Sequence, residues 1–390
     1  MTTNLKTSRS AVALACAGAL VLLAGCSTLE SLNPFSKGPK NPPAKLVDFA
    51  QTMKVRTAWE VSVGAADEFA FSPVLAGESL YAASANGTIV RINPASGKEV
   101  WRIDADARLS AGVGSDGAVV AVAADKGRIL AFDADGKALW TAQASSEVLS
   151  APTVGGGVVI VRSVDNRLVA FDAKSGARRW NVQRTAPPLT LRNSPGIAIA
   201  GNLAIASMPG GKLLALTLNN GAPAWESTVS DPKGATELER IADTSGTPVV
   251  IGREVCAATY QGKVGCFDLS NGQQRWAKEM STDVGLAVDQ RFVFGADESG
   301  VVNAFARESG ASVWRNDKLK YRRLSAPASI GRAVAVGDFE GQVHFLSRED
   351  GAFVARVPTD GSPIAGTPLV SGSQLVVQTR AGKIVALATE

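Results

Sequence analysis

Histidine and cysteine are scarce in this chain of 390 residues, which has one histidine and four cysteines. Metal sites are built from several closely spaced ligands, so a single histidine excludes a histidine-rich zinc site. A Ser-His-Asp triad would depend on His344, which lies in the strand-like run QVHFL, and no G-x-S-x-G motif accompanies it. We therefore predict no catalytic residue, no metal and no cofactor.

Phosphate-binding motifs are also missing. No Gly-Lys pair is followed by serine or threonine, which excludes a P-loop. GVGSDG at 112–117 matches G-x-G-x-x-G, but a dinucleotide site needs a helix next, and AVVAVAADKGRILAF is typical of two strands and a turn. The formal net charge is only +4, without a block of Lys and Arg, so we expect no nucleic-acid partner.

The N-terminus carries a short apolar run. Lys6 and Arg9 precede AVALACAGALVLLA, which is too short to span a bilayer in a mature protein and is typical of an export signal. We assign residues 1–25 to a signal peptide. The run ends in LLAGC, which resembles the bacterial lipobox and implies cleavage before Cys26 and lipid attachment to it. An ordinary signal peptide that leaves a free Cys26 is the alternative.

A polar linker follows Cys26. The run STLESLNPFSKGPKNPPAK is rich in Pro, Ser, Lys and Gly, a composition typical of a flexible tether. Residues 26–54 are therefore predicted to be the tether and 55–390 the folded domain. Ser27, at the position after the lipobox cysteine, implies by resemblance transfer to the outer membrane, where the protein would face the periplasm.

The rest of the chain consists of repeats of one sequence motif of about 15 residues. GTIVRINPASGKEVW (87–101), NRLVAFDAKSGARRW (166–180) and GKVGCFDLSNGQQRW (262–276) are copies, and GKIVALATE (382–390) begins an eighth. The copies recur about 42 residues apart, the spacing of four-stranded propeller blades. Short β-rich runs separated by Gly, Asn, Asp and Pro make up each copy. The pattern predicts an all-β fold, an eight-bladed β-propeller of antiparallel four-stranded blades.

The eighth copy lacks its SGxxxW half. TAWEVSVG at 57–64 precedes the first blade, so we predict that this strand completes the last blade beside residues 382–389 and closes the ring. The tryptophans recur at one phase of the repeat, which predicts that they pack between blades rather than form a stacking platform. They are Trp59, Trp101, Trp140, Trp180, Trp225, Trp276 and Trp314, and the seventh copy has Ala355 at this position.

Two cysteines fall within the folded domain. Cys256 and Cys266 flank the turn at 260–262, so a three-residue turn places them opposite each other on paired strands. A disulfide would form there in an oxidising periplasm, and a pair of small buried thiols is the alternative. No base lies nearby in the sequence to activate a catalytic thiol.

Two neighbouring connections between blades are unusually long. The gaps from Trp180 to Gly211 and from Trp225 to Gly262 are 31 and 37 residues, whereas the other six gaps are 24–28 residues. Such connections emerge on one face of a propeller, so the two should form one local protrusion. Insertions on one face are often where a repeat protein binds its partner.

The repeat resembles the one from which quinoprotein alcohol dehydrogenases are built. That resemblance implies one alternative function, a quinone-dependent periplasmic dehydrogenase. Those enzymes typically carry adjacent cysteines and calcium ligands, whereas this chain has no adjacent cysteines and is much shorter. A second alternative is a propeller that binds a small ligand or peptide in its central channel.

The lipobox, the tether and the eight repeats together resemble the BamB family, the lipoprotein propellers of the outer-membrane β-barrel assembly machinery. The likeness is most specific in LTLRNSP (189–195), ATELERIADTSGTPVV (235–250) and VGDFEGQVHFLSREDGAFVAR (336–356). It implies a non-enzymatic scaffold that binds the periplasmic POTRA domains of the central barrel-forming subunit, with other assembly lipoproteins as further partners.

The same resemblance implies the contact residues. They are Leu189, Leu191, Arg192, Glu237, Arg240 and Asp243. The family's second aspartate, two residues after the first, is Ser245 here. Leucines on a loop would be desolvated anchors, and Arg192 would offer several donors to a carbonyl or carboxylate of the partner. The alternative is that both leucines fold back onto the propeller as core.

Overall fold

Eight separate sheets of four antiparallel strands make up the computed structural model, which describes residues 41–185, 187–191 and 195–390. The compact unit that contains all of them spans Ala44–Glu390. The sheets confirm the predicted all-β, eight-bladed propeller. In this part of the chain there is no helix with the length and apolarity to cross a membrane.

The strands are numbered in chain order, and β1 spans Val55–Ser62. Blade 1 comprises β2 (Val74–Ala76), β3 (Ser79–Ala83), β4 (Thr88–Ile92) and β5 (Glu99–Asp104). Blade 2 comprises β6 (Leu109–Ser115), β7 (Val119–Ala124), β8 (Arg128–Asp133) and β9 (Ala138–Gln143), with a 3₁₀ turn at Asp125–Gly127. Blade 3 comprises β10 (Thr153–Gly155), β11 (Val158–Arg162), β12 (Arg167–Asp172) and β13 (Arg178–Gln183). Blade 4 comprises β14 (Ile197–Ala200), β15 (Leu203–Met208), β16 (Lys212–Thr217) and β17 (Pro223–Thr228).

The remaining blades follow the same order. Blade 5 comprises β18 (Thr244–Ile251), β19 (Glu254–Thr259), β20 (Lys263–Asp268) and β21 (Gln274–Glu279). Blade 6 comprises β22 (Leu286–Val288), β23 (Phe292–Ala296), β24 (Val302–Ala306) and β25 (Ser312–Asn316). Blade 7 comprises β26 (Ala328–Ile330), β27 (Ala333–Gly337), β28 (Gln342–Ser347) and β29 (Phe353–Pro358). Blade 8 comprises β30 (Leu369–Ser371), β31 (Gln374–Gln378), β32 (Lys383–Thr389) and β1.

The core lies between adjacent blades. Middle strands such as β3 and β7 are buried at every residue, because both of their faces pack against neighbouring blades. Outer strands such as β5 alternate between exposed and half-buried residues, since one side of them meets solvent. This difference explains why the middle strands are continuous apolar runs whereas the outer strands are mixed.

The ring closes as predicted. Strand β1 pairs antiparallel with β32 from Val55 opposite Thr389 to Ser62 opposite Lys383. The first described strand of the propeller is thereby the outer strand of its last blade. Closure leaves only short sheet edges around the ring.

Each tryptophan joins its own blade to the next. The indole Nε1 of Trp180 donates a hydrogen bond to the carbonyl oxygen of Leu218 at 2.8 Å. The six other tryptophans make the same kind of bond at 2.6–3.0 Å. The ring packs on the glycine of the receiving turn, and a Cβ at Gly221 would lie 2.8 Å from the Trp180 ring. The tryptophans are therefore inter-blade core, as predicted.

Ala355 replaces the tryptophan at the junction with blade 8. There the third and fourth strands, β32 and β1, come from opposite ends of the described chain, so no glycine turn joins them to receive an indole. Met53 packs in the same buried cluster as Ala355, and its amide donates to the carbonyl of Val354 at 3.1 Å.

Residues 44–54, which the sequence assigns to the tether, lie along blades 6 and 7. Arg322 Nη1 donates to the carbonyl of Ala44 at 3.0 Å, and Arg356 Nη1 donates to the carbonyl of Val47 at 3.0 Å. Phe49 stacks on Phe353 with ring centroids 5.2 Å apart. The tether prediction for residues 26–40 lies outside the described residues.

The same two arginines belong to a buried polar cluster around the one histidine. His344 Nε2 lies 2.9 Å from Asp338 Oδ2, and Arg356 Nε donates to His344 Nδ1 at 3.1 Å. Nδ1 is therefore an acceptor, which makes the ring neutral with its proton on Nε2. Arg322 donates to Asp338 at 2.7 Å and also to Glu340. Burial lowers the pKa of His344, an effect that the hydrogen bond to Asp338 opposes.

Cys256 and Cys266 form a disulfide in blade 5. The residues lie directly opposite each other on β19 and β20, with Cα atoms 4.1 Å apart. Both side chains are fully buried. The bond links two middle strands of one blade and leaves no thiol for chemistry at this position.

Candidate functional site

The two long connections meet on one side of blade 4. The first, residues 184–196, runs from β13 to β14, and the second, residues 229–243, runs from β17 to β18. We call them the first and second connectors. In antiparallel four-stranded blades these connectors lie at the same end as the turn between the second and third strands, which in blade 4 contains Gly210.

Asp243 joins the first connector to the second. Its carboxylate accepts the amide of Leu191 through Oδ2 at 2.6 Å and the amide of Gly210 through Oδ1 at 2.9 Å. Asp243 itself is only 3% exposed. The residue therefore acts inside the protein, where it fixes the backbone of the LTLR run against the turn of blade 4.

A half-buried arginine lies near enough to Asp243 for their charges to attract each other. Arg162, at the end of β11, donates through Nη1 to the carbonyl of Ser207 at 2.5 Å. Burial lowers the pKa of the Arg162 guanidinium to about 10, and attraction to Asp243 opposes that shift. Burying a carboxylate is costly unless its charge is compensated, and here two backbone amides donate to Asp243 while the charge of Arg162 attracts it.

The leucines of the first connector differ in exposure. Leu189 is 42% exposed, whereas Leu191 is half-buried with its amide held by Asp243. Arg192 lies outside the described residues. Ser245, in the position of the family's second aspartate, is buried on β18.

The second connector contains a tight turn held by Glu239. Its Oε2 accepts the amides of Ala235 at 2.7 Å and Thr236 at 3.1 Å, and the Glu239 amide donates back to Thr236 Oγ1 at 3.3 Å. These amide hydrogen bonds hold the pKa of Glu239 below its usual value. Reciprocal bonding of this kind, T-x-x-E, is a capping box.

Leu238 is the residue that sequence reasoning missed. It is 67% exposed, the highest value among the exposed large apolar residues of the described chain. Glu237 and Arg240 flank it, with Glu237 Oε1 and Arg240 Nη1 3.6 Å apart, and Arg240 Nε also donates to the carbonyl of Gly234 at 3.0 Å. The TELE run that forms the capping box was the signal that could have identified it, because the turn holds Leu238 outward.

We use the name connector surface for the leucines of the two connectors and the charged neighbours of Leu238, because the hydrogen bond from Leu191 to Asp243 joins the two connectors. It comprises Leu189, Leu191, Glu237, Leu238 and Arg240. Leu238 lies between the ion-paired side chains of Glu237 and Arg240 in the sequence, and apolar anchors next to charged groups are typical of protein-binding sites. The buried Asp243 positions this surface through its hydrogen bond with the amide of Leu191.

The central channel is a different kind of space. It has a volume of about 1040 Å³ and is lined by residues such as Pro152, Gly196 and Pro248. None of the buried polar atoms that lack a partner in the described chain belongs to its lining. Nor do the described residues contain a group of His, Cys, Asp or Glu able to hold a metal ion.

Comparison with known proteins assigns the family. A family model described as "Outer membrane protein assembly factor BamB" matches residues 85–316 and 298–390. The chain belongs to the BamB family. A BamB of Burkholderia pseudomallei is 45% identical over 377 residues, covering 96% of this chain and 97% of that protein. A BamB of Bordetella pertussis is 46% identical over 367 residues, covering 94% of each chain.

Solved structures agree with the family assignment. The crystal structure of BamB from Moraxella catarrhalis superimposes with a TM-score of 0.77 at 27% identity, covering 86% of this chain and 100% of that one. The quinohemoprotein alcohol dehydrogenase of Comamonas testosteroni gives a TM-score of 0.68 at 13% identity, covering 86% and 76%. At that identity the likeness shows a shared fold and no shared activity.

Proposed function

We propose that this protein is an accessory subunit of the outer-membrane β-barrel assembly machinery and binds the POTRA domains of the central barrel-forming subunit. The relatives that match nearly the full chain are named outer membrane protein assembly factors. Assembly factors are not enzymes, and the quinoprotein alternative has no support beyond the shared fold. Binding through the central channel likewise has no polar group in need of a partner to support it.

The connector surface is the proposed contact site. The observation that carries this proposal is the hydrogen bonding of Asp243, which joins the two connectors at a place where Leu189 and Leu238 remain exposed. An exposed apolar side chain on a fixed backbone loses little conformational entropy on binding, which favours a stable complex. Arg192, outside the described residues, completes the set by family resemblance.

The remaining assignments complete this model of the function. Residues 1–25 are the signal peptide, and Cys26 carries the lipid that holds the protein on the periplasmic face of the outer membrane. Acyl chains contribute about 0.8 kcal/mol per buried methylene, so more than one chain gives stable anchoring. Other assembly lipoproteins are further partners. A Cys26→Ala variant should appear in the soluble periplasmic fraction, and its persistence in membranes would contradict lipid anchoring.

Binding by purified POTRA domains tests the contact site. Leu189→Asp and Leu238→Asp should each weaken binding more than tenfold, because a charge replaces an apolar anchor in a desolvated contact. Leu139→Asp is the matched control, since Leu139 on β9 of blade 2 is also 42% exposed but lies away from the connectors. Titration calorimetry gives the affinities, and thermal melts show whether each variant is folded. Equal affinity of all three variants would place the contact elsewhere.

A further inference from the structure

A cavity lies beneath the first connector, between blades 3 and 4. Its volume is about 460 Å³, within the range of sites that hold ligands. Pro187 of the first connector and Gly210 of the blade 4 turn line it. Gly210, which lines the cavity, and Leu191 of the connector surface donate to the same carboxylate, so the cavity lies next to that surface.

The lining combines an apolar floor with an excess of positive charge. Met208 and Leu214 are buried residues of blade 4 and supply apolar surface. Arg184 and Lys212 supply two cations, and Glu226 supplies one anion. The cavity therefore has a net positive charge beside apolar walls.

Arg184 and Lys212 each have side-chain hydrogen-bond donors without a partner among the described residues. Arg184 Nε is buried without a partner in the described chain, and Arg184 Nη2 lies 4.0 Å from Glu226 Oε2, which makes a weak ion pair. Lys212 Nζ donates to Thr228 Oγ1 at 2.6 Å, which uses one of its three donors. An unsatisfied buried guanidinium donor is costly, so an incoming acceptor would be favoured.

We infer that this cavity binds a carboxylate side chain, Asp or Glu, of the protein segment that docks on the connector surface. The carboxylate pairs with Arg184 and Lys212, and its methylene groups contact the apolar floor. Arg is well suited to such pairing because its planar donors match a carboxylate. The inference rests on the proposed function, since the docking segment is that of the barrel-forming subunit.

Charge variants test the inference against the same POTRA domains. Lys212→Met and Arg184→Met keep the aliphatic stem and remove the charge, and each should weaken binding about tenfold, as close interface charge pairs do. Glu226→Gln should strengthen binding about twofold to threefold, since it removes an anion that competes with the ligand carboxylate. Lys98→Met, at an exposed turn of blade 1, is the matched control and should leave affinity unchanged.

The opposite effects of the Lys212 and Glu226 variants separate a binding role from a structural one. Added salt should weaken wild-type binding more than binding by Lys212→Met, because screening acts on the lost charge pair. If Leu189→Asp abolishes binding while the three cavity variants match wild type, the cavity inference is overturned and the proposed function stands. If Glu226→Gln weakens binding as much as Lys212→Met, the charges are structural and the inference is also overturned. If Leu189→Asp has no effect either, the proposed contact site itself is wrong.

Discussion

Asp243→Asn is the most informative single substitution outside the contact residues. The asparagine has nearly the same shape but only one acceptor oxygen, so it can hold the amide of Leu191 or that of Gly210 but not both. Gly210 lies in the short hairpin between β15 and β16, whereas Leu191 lies in a long connector. We therefore expect Leu191 to be the residue that loses its partner.

The size of the effect follows from the bond that is lost. A hydrogen bond to a charged group contributes roughly 1.5–3 kcal/mol, which corresponds to about a 10- to 100-fold change in an equilibrium constant. The Leu191 amide should therefore exchange with deuterium about 10- to 100-fold faster in the variant. Affinity for the POTRA domains should fall as well, although the substituted side chain is only 3% exposed, because the connector surface loses its fixed backbone.

Hydrogen–deuterium exchange measured on peptides that end at residue 191 is the assay. Asp268→Asn is the matched control, because the Asp268 carboxylate accepts the backbone amide of Ser270 in an exposed turn of blade 5 and holds no connector. Unchanged exchange at both Leu191 and Gly210 in Asp243→Asn would refute the assignment of Asp243 as the residue that positions the connector surface. Loss of affinity without faster exchange would instead make Asp243 a direct contact.

Three further predictions concern stability. Gly176→Ala should lower the free energy of unfolding, measured by urea denaturation, by about 1–3 kcal/mol more than Gly201→Ala does. Both glycines have positive φ, but only at Gly176 would the new Cβ lie 2.7 Å from an indole ring. Equal losses of stability would contradict the packing of the tryptophans on these glycines. Replacing both Cys256 and Cys266 with alanine should lower the free energy of unfolding by roughly 3 kcal/mol, since the disulfide closes a loop between residues ten apart. A reductant that destabilises this variant as much as the wild type would contradict the disulfide. The folded state lowers the pKa of His344, so it binds fewer protons than the unfolded state and stability should fall as the pH drops from about 7 to 5. In His344→Gln the melting temperature should fall less over the same pH range. An unchanged fall would show that other groups cause the pH dependence.

The repeat was sufficient to predict the blades, the closing strand and the packing of the tryptophans. Each of these follows from periodicity, because one blade repeats the environment of the next. The long connectors interrupt the periodicity, and that interruption located the connector surface. Sequence could not show which carboxylates there are buried, because the burial of Asp243 depends on amides 52 and 33 residues away.

The features that the sequence could not predict depend on contacts between residues far apart in the chain. The sequence assigns residues 44–54 to the tether, yet Arg322 reaches Ala44 across 278 positions and Arg356 reaches Val47 across 309. The cluster around His344 likewise brings together groups from three strand regions of blade 7. Pairings of this kind are a property of the closed ring and leave no local pattern.

The closing pair β1 and β32 has a consequence for biogenesis. Strand β1 leaves the ribosome before the other described strands of the propeller, but its partner β32, residues 383–389, leaves last. The last sheet therefore cannot assemble until β32 has been synthesised. A polypeptide cut short near residue 380 would leave β1 and β31 without their shared partner β32, and the two unpaired strand edges would favour aggregation or proteolysis.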